Sequence, residues 1–109
     1  MAFDEILAGR IRTLVVDEAG VTEKHMFGGL AFLLHGNMAV AANSTGDLML
    51  RTDPSDAGAP YLAEAEPQIM RGRAMAGWLH LPRSALADDA TLSAVVAHGL
   101  AFARTLPPK

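Results

Sequence analysis

The apolar positions near the start of the chain repeat with the spacing of an α-helix, three or four residues apart. They are Phe3, Ile6, Leu7, Ile11, Leu14 and Val15. Asp4 and Glu5 stand in the first turn, where the helix dipole favours acidic side chains. Gly20 follows the last apolar position and is typical of a helix C-terminus. We therefore predict a helix from Phe3 to Glu18.

From Lys24 onward the helical spacing gives way to short apolar runs separated by turns. The runs Leu30–Leu34 and Met38–Ala42 flank His35-Gly36-Asn37 and predict a β-hairpin. A third run, Leu48–Thr52, follows a polar turn. Since parallel neighbours need a long crossover, these short connections predict antiparallel strands.

The second half of the chain predicts two helices and two extended segments. In order, they are a short helix through Tyr61, Leu62 and Ala65, an extended segment beginning at Ile69, a strand over Met75–Leu81, and a final helix capped by Asp88 or Asp89. The final helix carries an apolar stripe at helical spacing: Leu92, Val95, Val96, Gly99, Phe102, Ala103 and Leu106. The predicted order is α-β-β-β-α-β-β-α. It indicates a two-layer α+β domain, with helices packed on one face of an antiparallel sheet.

Length and composition agree with one folded domain over residues 1–109. Half of the residues are hydrophobic and 19% are charged, which argues against disorder. The chain has no cysteine, which excludes disulfides, thiolate metal sites and cysteine nucleophiles. Acidic residues stand where a secretory signal would carry Lys or Arg. The longest apolar stretch, Gly28–Leu34, is far shorter than the ~20 residues of a membrane span. We expect a cytoplasmic protein without a membrane segment.

The charge balance disfavours nucleic acid as a partner. The net charge is −3, and the basic residues are spread along the chain. Binding to nucleic acid normally rests on clustered Lys and Arg that neutralise phosphates.

No combination of side chains predicts catalysis. The four histidines, His25, His35, His80 and His98, lack the spacing of a helical metal site. No serine lies in a Gly-x-Ser-x-Gly elbow, and the paired carboxylates stand at helix starts or on helix faces. We expect no catalytic residue, no cofactor and no metal.

The segment Met26-Phe27-Gly28-Gly29 stands at the start of an apolar run. Because it opens a strand and not a helix, it cannot present a helix N-terminus to a phosphate. Adjacent glycines in a strand mark a bulge or a close backbone approach. One interpretation is a kink that lets Phe27 point into the core beneath the first helix. The other is a shallow groove, left by Gly28 and Gly29, for a partner chain.

Arg71, Arg73 and Trp78 form the one basic and aromatic grouping in the sequence. Such a grouping stacks on a nucleic-acid base or anchors a protein interface. The alternative is a solvated turn with Trp78 in the core. Five methionines in or beside the predicted strands serve either as core filler or as an adaptable binding surface.

Three segments together carry a family resemblance. They are Met26-Phe27-Gly28-Gly29, the hairpin Leu30 to Val40, and Gly72-Arg73-Ala74-Met75-Ala76-Gly77-Trp78. In these segments the chain resembles the N-terminal domain of the TfoX/Sxy family, and its C-terminal segment Gly99–Lys109 looks like that of free-standing members. One departure is Ala74, where many relatives have proline.

The resemblance implies a secretion-chaperone-like α+β fold and a link to regulators of natural competence, which act with a cAMP-responsive transcription factor. Those regulators carry a second, helical domain that we do not expect in this chain. Some free-standing relatives carry an RNA-methyltransferase label, but no segment here resembles a methyl-donor site.

The leading hypothesis is a non-enzymatic regulatory module that binds a protein partner or a second copy of itself. A nucleic-acid-associated regulator and a small-ligand binder or enzyme, the latter working through His25, His35 and the glycine segment, are the alternatives. The candidate interaction residues are Phe27, Gly28, Gly29, Arg71, Arg73 and Trp78.

Overall fold

The described part of the computed structural model, residues 4–26, 28–53, 60–70 and 72–109, contains two α-helices and six strands. The elements are α1 (Glu5–Val15), β1 (Val21–Met26), β2 (Gly29–Leu34), β3 (Asn37–Asn43), β4 (Leu48–Arg51), β5 (Glu66–Met70), β6 (Arg73–Leu81) and α2 (Asp89–Arg104). Two short 3-10 turns, Pro60–Leu62 and Arg83–Leu86, precede β5 and α2.

The six strands form one sheet in the order β1-β2-β3-β4-β6-β5, and each neighbouring pair is antiparallel. A two-residue turn joins β2 to β3, because Leu34 and Asn37 are the last residues that pair there. The β1–β2 pairing ends at Met26 with Gly29, and the β5–β6 pairing ends at Met70 with Arg73. The strands β1 and β5 are the edges of the sheet.

Both helices begin at an aspartate cap. The Asp4 carboxylate accepts a hydrogen bond from the backbone N–H of Leu7 at 2.9 Å, and Asp88 accepts one from Thr91 at 3.3 Å. Such caps satisfy backbone donors that the first turn leaves open. The first helix is shorter than the predicted range Phe3–Glu18, since Asp4 caps it and Val16, beyond its end, is 74% exposed.

The helices cover one face of the sheet, which we call the inner face. The buried positions of α1 and α2 join alternate residues of β2, β3 and β4 in one core; its largest fully buried side chains include Phe32, Ile11, Leu34, Leu48 and Leu50. Gly99 brings α2 close to β3, because a Cβ there would stand 2.6 Å from the carbonyl oxygen of Ala39.

The other, outer face carries a second apolar cluster, formed by the strand residues that alternate with the core positions. Its buried members are Ala31, Met38, Ala41 and Met49, and Met26, Leu33 and Trp78 are half-buried against them. We call these seven residues the outer-face cluster.

The predicted α+β class is confirmed, and the element order differs from the prediction in two places. Strand β1 was not predicted, because four of its six side chains are exposed and an edge strand shows little apolar alternation. Among the described residues, no α-helix separates β4 from β5; the predicted helix through Tyr61 is a 3-10 turn whose Leu62 is buried. Residues 54–59 lie outside the described part.

Candidate functional site

The two glycines of the Met26–Gly29 segment lie in different kinds of structure: Gly28 is in a turn, and Gly29 begins a strand. Gly28 is a turn residue directly before β2, with φ of +71°, a conformation that glycine adopts at no steric cost. Gly29 is the first residue of β2, and a Cβ there would collide with the carbonyl oxygen of Ala42. The prediction about Phe27 lies outside the described residues.

The predicted grouping of Arg71, Arg73 and Trp78 is only partly described. Arg71 lies outside the described residues, and Arg73 is exposed at the first position of β6. Trp78 belongs to the outer-face cluster and pairs across the sheet with Arg51, the last residue of β4. The guanidinium carbon of Arg51 lies 5.1 Å from the centre of the Trp78 ring, within cation–π range.

Arg51 was missed in the sequence because its partners come from distant segments. Its guanidinium carbon also lies 4.8 Å from the ring centre of Phe102 on α2. Its Nη1 donates to the carbonyl oxygens of Thr52 and Gly77, both at 3.1 Å. Within the described part of the chain, no carboxylate forms an ion pair with Arg51.

A groove of about 650 Å³ opens beside Arg51, between the outer-face cluster and the C-terminal tail, residues 106–109. We call it the tail groove. Its walls are mainly apolar: Met26, Leu33, Met38, Trp78, Leu106, Pro107 and Pro108, together with Gly36, Asn37, Arg51 and Lys109. The groove therefore brings Trp78 together with Met26 of the glycine-containing segment.

The tail is fastened to the β2–β3 turn by two hydrogen bonds. The side-chain Nδ2 of buried Asn37 donates to the carbonyl oxygen of Pro107 at 2.9 Å. The backbone N–H of Lys109 donates to the carbonyl oxygen of His35 at 2.8 Å. These bonds fix one wall of the tail groove.

Comparison with protein families covers most of the chain, from the end of α1 into the last turn of α2. The family model of the TfoX N-terminal domain matches residues 14–103. The chain belongs to the TfoX N-terminal domain family. A search of the curated proteins and a search of the solved structures each find no match.

In this TfoX N-terminal domain, the structure keeps His25 and His35 apart. His25 is exposed on β1 opposite Leu30, near one end of the β1–β2 hairpin, whereas His35 lies in the turn beyond Leu34, at the other end. Among the described residues, no group of three His, Asp or Glu side chains could hold a metal ion. None of the described helices is long and apolar enough to cross a membrane.

His98 links three elements of the domain, an arrangement that the sequence did not predict. Its Nε2 lies 2.6 Å from the hydroxyl of Thr52, and its Nδ1 lies 2.8 Å from the hydroxyl of Tyr61. Thr52 is buried just after β4, Tyr61 lies in the first 3-10 turn, and His98 lies within α2. Because hydroxyl groups engage both ring nitrogens, the ring joins these elements and lies beside a cavity of about 720 Å³.

His80 forms a side-chain hydrogen bond with Asp47, which precedes β4. One carboxylate oxygen of Asp47 lies 2.8 Å from the Nε2 of His80, and the other accepts a hydrogen bond from the backbone N–H of Arg83 at 2.8 Å. Burial by itself would raise the pKa of Asp47, but the bonds from Arg83 and His80 outweigh it. The pKa of Asp47 therefore lies below its ordinary value of 3.8.

This lowered pKa predicts a specific acid sensitivity. A carboxyl group whose pKa is lower in the folded state stabilises the fold above its unfolded pKa of ~4, and this contribution is lost as the pH falls through the folded pKa. We expect Asp47→Asn to reduce stability at pH 7 and to flatten the fall in stability between about pH 5 and pH 2. Urea unfolding across this range measures both effects. The exposed Asp17→Asn is the matched control, and equal pH profiles for the two variants would contradict the prediction.

Proposed function

We propose that this TfoX N-terminal domain is a non-enzymatic regulatory module that binds a protein partner on the outer face of its sheet. The observation that carries the proposal is the outer-face cluster. The helices cover the inner face, while Met26, Leu33 and Trp78 extend from buried neighbours to the surface of the outer face. Apolar patches of this kind mark interaction sites in soluble domains.

The residue types of the cluster support a protein as the occupant. Aromatic residues and methionine are enriched at protein interfaces, and methionine side chains adapt to the shape of a partner. Trp78 is the type of residue that anchors an interface, because it offers a large apolar area at low entropic cost. The partner we propose is a protein with an apolar surface, and a second copy of the chain is the alternative outcome.

The arrangement of the histidines supports the non-enzymatic part of the proposal. His80 is paired with Asp47, and the ring nitrogens of His98 are engaged by two hydroxyl groups. His80 and His98 therefore each have a structural partner in a different part of the domain.

Leu33→Glu tests the docking surface. The substitution places a charge among apolar neighbours at a half-buried position. We therefore expect the amount of partner protein captured in quantitative pull-downs from host-cell extract to fall at least tenfold. Ile6→Glu is the matched control, because Ile6 is 78% exposed on α1, away from the outer face. Circular dichroism verifies that both variants fold.

Light scattering on the purified domain separates the two occupants. If the domain is a monomer, and the protein it captures is lost with Leu33→Glu and kept with Ile6→Glu, the partner is another protein and not a second copy of the chain. A dimer that Leu33→Glu dissociates identifies a second copy. If wild type and both variants capture the same proteins in the same amounts and share one oligomeric state, the proposal is wrong.

A further inference from the structure

Arg51 has hydrogen-bond donors that no described residue uses. A guanidinium carries five N–H donors, and here Nη1 serves the carbonyl oxygens of Thr52 and Gly77. The donors on Nε and Nη2 have no acceptor in the described part of the chain. Arg51 is half-buried, and bidentate contacts of a guanidinium with a carboxylate or phosphate are among the strongest hydrogen bonds in proteins, so its open donors are suited to bind such a group.

The position of the guanidinium is already fixed. Trp78 and Phe102 hold it at cation–π distance, and the two carbonyl oxygens hold Nη1. A planar group held in this way loses little conformational freedom when an anion binds. Anion binding therefore costs less entropy here than it would at a mobile surface lysine.

The tail groove beside Arg51 supplies the rest of a binding site. Its volume of about 650 Å³ lies in the range of small-molecule sites, which run from about 300 to 1,000 Å³. Such sites combine mainly apolar walls with a few polar groups that fix the orientation of the ligand. Here Met26, Leu33, Met38 and Trp78 supply apolar wall, and Arg51 supplies the charged donors.

We propose that the tail groove binds a small amphipathic anion. Its carboxylate or phosphate accepts hydrogen bonds from the Nε and Nη2 of Arg51, and its apolar part lies against Met26, Leu33, Met38 and Trp78. This inference goes beyond the proposed function and does not rest on it. Leu33 and Trp78 belong to both surfaces, so a bound anion and a docked protein would compete.

The only tryptophan of the chain lies in the groove, so its fluorescence reports binding directly. The purified domain is titrated with decanoate, decyl phosphate, decanol and decyltrimethylammonium, each below its micelle concentration. We expect a saturable change with one or both anions, and binding at least tenfold weaker for the neutral and cationic chains. The anion that binds with the higher affinity shows whether the groove prefers a carboxylate or a phosphate headgroup. Equal binding of all four compounds, or no saturable change with either anion, overturns the proposal.

Arg51→Met removes the charge and retains much of the apolar stem. We expect it to weaken binding of the preferred anion at least tenfold, whereas Arg51→Lys, which keeps a point charge without the planar fork, weakens it less. The exposed Arg73→Met is the matched control and should bind as the wild type does. If Arg51→Met binds the anion with unchanged affinity, the site is wrong.

Because Arg51 also bridges two backbone carbonyls, circular dichroism must show that Arg51→Met is folded. If it is not, Leu33→Glu provides the second test, since a carboxylate in the groove should repel the anion. We expect at least a tenfold loss of affinity in this variant, and unchanged affinity would overturn the proposal.

Discussion

Phe32→Ala should lower the free energy of unfolding by about 3–5 kcal/mol, the range for a buried phenylalanine truncated to alanine. The side chain of Phe32 is 1% exposed and belongs to the core on the inner face of the sheet. Its removal leaves a cavity between the sheet and the helices that the neighbouring leucines cannot fill without strain. Urea unfolding followed by circular dichroism measures the loss.

The adjacent Leu33→Ala is the matched control. Leu33 is half-buried on the outer face, so less apolar area is exposed when it is truncated. We expect Leu33→Ala to lower the free energy of unfolding by well under half as much as Phe32→Ala does. Equal losses would show that the outer face is packed as closely as the inner face, and would contradict the two-faced description of the sheet.

Gly28 and Gly29 should differ in how much stability a substitution costs. Gly28→Asn should be tolerated at a cost below about 1 kcal/mol, because asparagine visits positive φ readily, and a Cβ there meets nothing within 4 Å. Gly29→Ala should cost about 1–3 kcal/mol or more, since its Cβ would be forced against the carbonyl oxygen of Ala42 in the neighbouring strand.

Thermal unfolding of the two variants side by side tests the geometry described for Gly28 and Gly29. A large loss with Gly29→Ala and a small one with Gly28→Asn supports a turn followed by a close strand contact. If Gly28→Asn is the more damaging change, the turn geometry described for the β1–β2 hairpin is wrong.

Most of the fold could be predicted where a local pattern reports burial. The stripe beginning at Leu92 predicted α2, because a helix buried on one side leaves a periodic apolar pattern. The runs Leu30–Leu34 and Met38–Ala42 predicted the central hairpin, because strands buried on both faces appear as continuous apolar runs. Strand β1 left no such signal, since its side chains Thr22 to His25 are exposed at an edge.

The candidate site was predicted less well, because its residues meet only through the register of the sheet. Trp78 could be selected as an aromatic residue near arginines, but the arginine that contacts it lies 27 positions earlier and reaches it because β4 pairs with β6. The same holds for His98, whose partners Thr52 and Tyr61 lie in other elements. Pairings between distant segments are decided by tertiary packing, which local spacing does not encode.

The fastening of the C-terminal tail affects how the protein should be purified. The backbone N–H of Lys109 is bonded to His35, and Lys109 itself lines the tail groove. An affinity tag fused after Lys109 would start at the wall of this groove, where its own charged or aromatic side chains could occupy the place of a ligand. A cleavable tag ahead of α1, which packs on the inner face, would leave the groove open to titration and to pull-down.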